Sequence, residues 1–238
     1  MGDTMKKTLL TLAAASALSV SAQAEQFWAD NSVSLLYSNM YAEPFAGDEN
    51  SYSTVTLEHV SGHSWGGLFY FVDKHSGSDL NGTYLEISPK YTLTKMEGTV
   101  NAVNLAYTLE SGGATDNHLF GAGVDLTVPG MDYFGVTFYR AMNDGQDMDD
   151  NQITVVYGYS NGNLIIDGFI DYSFGADDNG TEDNMHINPQ ITYNIAPMLG
   201  LKNKLKLGVE YSYWGSDKYG VKDGGEQNSV SLLLKAHL

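Results

Sequence analysis

The sequence contains no cysteine and little positive charge, and both features narrow the range of functions. Without Cys among its 238 residues, the chain has no disulfide framework, no thiolate zinc site and no cysteine nucleophile. Only 12 residues are Lys or Arg, against 29 Asp or Glu, which gives a formal net charge of −17. This balance argues against nucleic acid as a partner, because binding it requires a basic surface that neutralises phosphates.

Long apolar segments are also missing beyond the N-terminus. Lys6 and Lys7 precede an apolar run over residues 8–20, and Ala22-Gln23-Ala24 has the small-x-small pattern of a signal-peptidase site. The run is too short to span a bilayer core of about 30 Å. We therefore expect residues 1–24 to form a cleavable signal peptide, with residues 1–4 as a short N-terminal extension. Residues 25–238 would be the exported domain, and they contain no candidate transmembrane helix.

The exported part alternates between apolar and polar residues with a period of two, which indicates β-strands bounded by Gly, Asn and Asp. In one segment Leu205, Leu207, Val209, Tyr211 and Tyr213 alternate with Lys204, Lys206, Gly208, Glu210 and Ser212. The pattern predicts about twelve strands, near 32–41, 51–60, 66–73, 82–91, 99–109, 118–128, 133–141, 151–160, 164–174, 185–195, 204–214 and 226–238. An even strand number is typical of single-chain bacterial barrels.

The connections between these strands alternate between long polar loops and mostly tight turns, as in outer-membrane barrels. We therefore predict an all-β fold, a transmembrane antiparallel up-and-down β-barrel with both termini in the periplasm. The predicted location is the outer membrane of a Gram-negative bacterium, with lipid and lipopolysaccharide around the barrel and the barrel-assembly machinery as its assembly partner. A soluble β-sandwich is the alternative, since it also has alternating strands.

In a barrel the polar face of each strand lines the lumen. The predicted inward charges are Glu58, Glu86, Lys90, Asp125, Asp167, Asp171, Lys206, Glu210 and Lys235. Charges of both signs fit a water-filled channel better than a dry core. The alternative is that they form structural ion pairs inside a plugged barrel, which would then be a structural, adhesion or receptor protein without transport.

Two predicted outer loops are crowded with carboxylates, at Asp144, Asp147, Asp149 and Asp150 and at Asp177, Asp178, Glu182 and Asp183. The first loop lacks the glycine of an EF-hand, so we expect solvated loops that share divalent cations with lipopolysaccharide. No catalytic residue, resident metal or cofactor is predicted. A hydrolase site at His118 or His186 is the weaker alternative, because no motif of a known nucleophile accompanies either residue.

Several segments resemble the nucleoside-specific channel-forming family, the Tsx-type and OmpK-type outer-membrane porins. These segments are Phe27-Trp28-Ala29-Asp30-Asn31-Ser32-Val33, Tyr84-Leu85-Glu86-Ile87-Ser88-Pro89-Lys90-Tyr91, Gly168-Phe169-Ile170-Asp171-Tyr172-Ser173-Phe174-Gly175 and Tyr219-Gly220-Val221-Lys222-Asp223. The resemblance implies a twelve-stranded barrel that passes nucleosides by facilitated diffusion, with outer loops that serve as phage or colicin receptors. Two departures from the family are a shorter chain and a terminal Leu238 in place of the usual phenylalanine.

A nucleoside path needs aromatic faces for the base beside carboxylates for the ribose hydroxyls. Phe169 lies between Asp167 and Asp171 on the predicted inward face, and Trp214 lies near Glu210. Glu86 belongs to the same inward set, and the resemblance suggests that Phe27 and Trp28, before the first predicted strand, fold into the lumen. A girdle or packing role is the alternative for each aromatic residue. The predicted solute path is therefore Phe27, Trp28, Glu86, Asp167, Phe169, Asp171, Glu210 and Trp214.

Overall fold

A computed structural model of the chain describes residues 25–41, 50–77, 81–113, 115–143, 149–175, 183–215 and 227–238. The predicted signal peptide lies outside these residues. The strands are β1 Gln26–Tyr41, β2 Asn50–His63, β3 Gly66–Gly77, β4 Asn81–Lys95, β5 Val100–Gly112, β6 Thr115–Leu126, β7 Tyr133–Met142, β8 Asp150–Asn161, β9 Leu164–Phe174, β10 Asn184–Asn194, β11 Leu205–Gly215 and β12 Gln227–His237. A one-turn helix, α1 (Ala196–Leu199), lies between β10 and β11. No helix in the described ranges is long and apolar enough to cross a membrane.

The twelve strands form one closed barrel in which each strand is antiparallel to its neighbours in sequence. The first and last strands close the barrel, with Leu35 opposite Leu234 and Ser32 opposite His237. The predicted twelve-stranded up-and-down barrel is thus confirmed. The β-sandwich alternative is wrong, because a sandwich consists of two separate sheets.

The two ends of the barrel differ in their connections. At one end, here called the short-turn end, the connecting residues 64–65, 96–99, 127–132, 162–163 and 195–204 are all described. At the other end, here called the long-loop end, most connecting residues fall outside the described ranges. The strand bounds correct two of the six long connections predicted there, because only three residues separate β3 from β4 and only two separate β5 from β6. Of the eight carboxylates predicted to crowd two outer loops, only Asp149, Asp150 and Asp183 are described.

The wall has an apolar outer face and a polar inner face. In β12, buried Ser229, Ser231 and Leu233 alternate with exposed Val230 and Leu232. The buried set faces inward, since Lys235 of β12 reaches Glu58 of β2 across β1, and the concave side is where next-but-one strands approach each other. Leu232 points outward and has 65% of its surface exposed. Such an apolar outer surface is typical of barrels that face lipid.

The structure corrects the predicted start of the first strand. The sequence predicts it near residue 32, but β1 begins at Gln26 and pairs with β2 down to Gln26 opposite His63. Phe27 and Trp28 are therefore part of the barrel wall rather than a separate segment before it. The register of β1 with β2 puts the Trp28 side chain on the same inner face as Glu58. The ring of Trp28 occupies the space over Gly62, where any larger residue would collide with it.

Candidate functional site

The lumen holds the charged residues that the sequence places on the inner face. Residues that are directly opposite in paired strands point to the same face. The strand register therefore puts all nine predicted inward charges on the inner face. The strand register brings Glu86 of β4 opposite Phe71 of β3, and Asp171 of β9 opposite His186 of β10. The lumen is therefore the candidate functional site.

All three lysines of this set lie in the half of the barrel nearer the short turns, and each has a carboxylate partner. Lys235 Nζ is 2.7 Å from Glu58 Oε1, Lys206 Nζ is 3.5 Å from Asp167 Oδ2, and Lys90 Nζ is 2.7 Å from Asp125 Oδ1. We call these six residues the ion-pair layer. Each pair joins two strands that are not neighbours in the barrel, so the layer cross-braces the wall from inside.

Five further carboxylates lie from the middle of the barrel toward the long-loop end. This carboxylate layer consists of Asp73, Glu86, Glu110, Asp171 and Glu210. The groups that donate hydrogen bonds to them are Thr56 to Asp73 (2.5 Å), Ser88 to Glu86 (2.8 Å), Asn117 to Glu110 (3.1 Å), Thr154 to Asp171 (2.5 Å) and Gln190 to Glu210 (2.8 Å). All these donors are neutral. Within the described residues none of the five carboxylates takes part in an ion pair.

The members of the carboxylate layer come from strands on different sides of the barrel. Glu86 of β4 lies within electrostatic reach of Asp171 of β9, and Asp73 of β3 lies within reach of Glu210 of β11. A solute that crosses the lumen at this level therefore passes between carboxylates on several sides.

Three rings from consecutive strands form an aromatic cluster in the wall beside this layer. The ring of His186 on β10 stacks on Trp214 of β11, with centroids 4.5 Å apart and planes 19° apart. Phe169 of β9 meets the same imidazole edge-on, with centroids 5.1 Å apart. Val156, opposite Phe169 on β8, is 38% exposed although it faces inward, so the lumen beside the cluster has open space.

The predicted path residues separate into three groups. Phe169, Asp171 and Trp214 lie around His186, and Glu86 faces Asp171 from β4. Glu210 lies on the same face of β11 as Trp214, four residues nearer the short turns. Asp167 is instead the partner of Lys206 in the ion-pair layer, and Phe27 and Trp28 lie at the short-turn end, away from the cluster. His186 was missing from the predicted path, because its contact with Trp214 depends on the register of β10 against β11, which a single sequence does not reveal.

The histidines do not assemble a hydrolase site in the described residues. His118 lies on the outer face, where its ring bonds the Tyr107 hydroxyl at 2.8 Å, whereas His186 lies on the inner face. Ser61 contacts the imidazoles of His59 and His63, each at 2.9 Å, but it is only 1% exposed. A serine so enclosed cannot reach a substrate as a nucleophile.

Comparisons with known proteins agree with a porin-type barrel. Residues 18–227 match the model of a family described as a domain of unknown function, DUF5020. No curated protein sequence matches the chain. Among solved structures, a NanC porin matches with a TM-score of 0.57 and 11% identity, over 87% of this chain and 98% of that one. A KdgM porin matches with a TM-score of 0.53 and 13% identity, over 86% of this chain and 98% of that one.

A second KdgM structure, in complex with disordered oligogalacturonate, matches with a TM-score of 0.53 and 14% identity, over 86% of this chain and 98% of that one. At such low identity these likenesses establish the barrel fold alone. The resemblance to the nucleoside-specific family stays a prediction.

Proposed function

The chain belongs to the DUF5020 family, and we propose that this member is a passive channel of the Gram-negative outer membrane, selective for nucleosides or similar small uncharged solutes. The observation that carries the proposal is a closed barrel whose outer face is apolar and whose inner face is charged, with open space beside Val156. A polar lumen suits hydrated solutes, and an apolar exterior suits lipid. A channel of this kind requires no cofactor and no covalent chemistry.

The charges of the lumen support a selectivity for uncharged solutes over anions. The three lumen lysines Lys90, Lys206 and Lys235 are already paired with carboxylates, and the carboxylate layer has no paired cation among the described residues. The matched KdgM porin was solved with oligogalacturonate, which is a polyanion. A lumen with this balance repels a polyanion and also a nucleoside monophosphate, and leaves a neutral nucleoside unhindered.

The aromatic cluster supports nucleosides among the uncharged solutes. A nucleoside has a flat base and a hydroxylated ribose, and Phe169, His186 and Trp214 provide ring faces near the carboxylate of Asp171. Stacking of a base on an aromatic side chain is worth roughly 1–3 kcal/mol, enough for a weak site that still releases its solute. The resemblance to Tsx-type channels points to the same class of solute.

The asymmetry of the barrel ends supports an orientation in the membrane. Short turns are typical of the periplasmic side and long loops of the outside, so we place both termini in the periplasm. The long loops then meet lipopolysaccharide and any phage or colicin that binds the protein, and the barrel-assembly machinery inserts the chain.

Uptake by liposomes that contain the purified, refolded protein tests the proposed function. Adenosine and thymidine should enter much faster than a sugar of similar size, and adenosine monophosphate should enter more slowly than adenosine. Equal entry of nucleoside and sugar would indicate a general small pore. If no solute entered, the protein would be a plugged barrel that serves as a receptor or structural protein.

Substitutions locate the path once uptake is established. Phe169→Ala and Asp171→Ala should each lower nucleoside flux, because they remove a ring face and a carboxylate from the wall beside the lumen. Tyr91→Ala is the matched control, because Tyr91 is an exposed ring on the outer face. If flux through the Phe169 and Asp171 variants equalled that through the control, these two residues would not belong to the path.

A further inference from the structure

His186 takes part in a hydrogen-bond chain that runs along the inner face from β10 to β12. Its Nε2 atom lies 3.0 Å from Ser212 Oγ, and the Ser212 hydroxyl donates to Gln227 Oε1 at 3.3 Å. The amide oxygen can only accept, so the single proton of the Ser212 hydroxyl is directed at Gln227. Ser212 Oγ must then accept its other hydrogen bond from His186.

This chain determines the tautomer of a neutral His186. Because Nε2 carries the proton that is donated to Ser212, Nδ1 has a free lone pair and can only accept. Among the described residues nothing bonds to Nδ1. The ring itself is held on both sides, by the face of Trp214 and by the edge of Phe169. The free acceptor is therefore fixed in place on the wall of the lumen.

The charged residue directly opposite His186 on the inner face is an acceptor too. Asp171 lies opposite His186 in the register of β9 and β10, whereas Glu210 lies four residues from Trp214 along β11. The hydrogen bond from Thr154 satisfies one oxygen of Asp171, which leaves further acceptor sites on this carboxylate. A solute at this place therefore meets aromatic faces surrounded by hydrogen-bond acceptors.

We propose that His186 is a specificity-determining residue of the lumen, and that its Nδ1 atom accepts a hydrogen bond from an amino group on the flat ring of the solute. The solute class is then narrower than nucleosides in general: nucleosides whose base carries an exocyclic amino group. This inference rests on the proposed channel function. It adds a residue and a chemical group that the alternation of the sequence does not indicate.

Adenosine and purine riboside are the probes, because they differ only in the exocyclic amino group of the base. In liposomes with the refolded mature chain, adenosine at low concentration should enter about threefold to tenfold faster than purine riboside, the factor that corresponds to one net hydrogen bond. His186→Phe keeps an aromatic ring against Trp214 and removes both nitrogens. We expect adenosine entry to fall to the rate of purine riboside in this variant, with purine riboside entry unchanged.

Two further variants separate recognition from packing. His186→Asn replaces Nδ1 by an amide oxygen and should restore part of the preference for adenosine without an aromatic ring. Ser212→Ala keeps the imidazole but removes the bond that holds the proton on Nε2; it should weaken the preference even if His186→Phe does not fold. Folding of each variant is checked by the mobility of unheated samples on detergent gels. An adenosine preference that stays intact in His186→Phe would overturn the inference and leave the channel proposal standing.

If the wild-type protein admits neither probe, the channel proposal fails, and equilibrium binding then decides the role of His186. Quenching of tryptophan fluorescence by adenosine but not by purine riboside, lost in His186→Phe, would support the recognition site in a closed barrel. Equal quenching by the two probes would overturn it.

Discussion

At the scale of single residues, the charge of Lys235 in the lumen is balanced by a directly bonded carboxylate. Its side chain is only 6% exposed, and its Nζ atom lies 2.7 Å from Glu58 Oε1. Lys235→Met would leave Glu58 with the hydroxyl of Ser32 but without its directly paired cation. We expect a loss of about 3–5 kcal/mol in the free energy of unfolding, as is typical when one member of a buried pair is removed. Urea titration followed by tryptophan fluorescence measures it.

Two further proteins control this prediction. Lys235→Met combined with Glu58→Gln should recover much of the lost stability, because no charge then stays buried alone. Arg140→Met breaks a pair with Asp149 in which both side chains are about half exposed and 3.9 Å apart. It should cost less than about 1 kcal/mol. Equal losses in Lys235→Met and Arg140→Met would show that the lumen pair is solvated like a surface pair.

At the scale of the strand, close approach between β10 and β11 depends on a glycine. A Cβ atom at Gly208 would meet the carbonyl oxygen of Ile191 and lie 2.7 Å from the Cα atom of Thr192, so the two strands would have to move apart. We expect Gly208→Ala to lower the unfolding free energy by about 1–3 kcal/mol, the usual range for overpacking. The measurement is the midpoint of urea unfolding, with the gel mobility of unheated samples as a second readout.

Gly82→Ala is the matched control within another strand, since a Cβ atom there has nothing within 4 Å. That substitution should be neutral or slightly stabilising, because alanine loses less backbone entropy than glycine on folding. A Gly208→Ala protein as stable as Gly82→Ala would contradict the tight contact between β10 and β11.

The sequence predicts features that depend on alternation within one strand, but it does not predict features that depend on the register between two strands. Alternation within a strand correctly assigns Lys206 and Glu210 to the inner face, because lipid and water select opposite residue types. It fails for residues 26–31, where Phe27 and Trp28 are both apolar and Asp30 and Asn31 both polar, so β1 begins earlier than predicted. The stacking of His186 on Trp214 could not be predicted, because it requires the register between two strands.

At the scale of the whole molecule, closure depends on the pairing of β1 with β12. Leu35 and Leu234 are directly opposite in that pair and both point outward. The chain has no cysteine, so Leu35→Cys with Leu234→Cys introduces a single possible disulfide. We expect it to form in the folded barrel, because directly opposed residues have Cα atoms about 4.5–5.5 Å apart. Loss of the cross-linked form on reduction, seen on denaturing gels, measures it.

Leu35→Cys with Val230→Cys is the control for this register. Val230 also points outward, but it lies four residues from Leu234 along β12, a displacement of about 13 Å. Cysteines so far apart cannot be bridged without a shift of the strand. Equal cross-linking of both pairs would indicate that β12 slides against β1, and cross-linking of neither pair would contradict closure between these strands.

The distribution of charge through the whole barrel predicts the ion selectivity of the channel. The lumen lysines are neutralised by their partners, so the carboxylate layer dominates the potential that a permeating ion meets. In planar bilayers with a gradient of potassium chloride, the reversal potential should indicate preference for K⁺ over Cl⁻. The preference should weaken from 0.1 M to 1 M salt, because the screening length falls from about 10 Å to about 3 Å.

Neutral variants identify which carboxylates produce this selectivity. A protein with Asp73→Asn, Glu86→Gln and Asp171→Asn retains the shapes of these side chains and removes three ionisable carboxyl groups from the lumen, so its reversal potential should move toward zero. Asp116→Asn removes one charge from an exposed side chain on the outer face, bonded to Ser111, and should leave the reversal potential unchanged. Preference for Cl⁻ in the wild-type protein would mean that cations outside the described residues govern the lumen. It would also remove the electrostatic argument against anionic solutes. A preference for K⁺ should therefore accompany slower entry of adenosine monophosphate than of adenosine, and a preference for Cl⁻ should not.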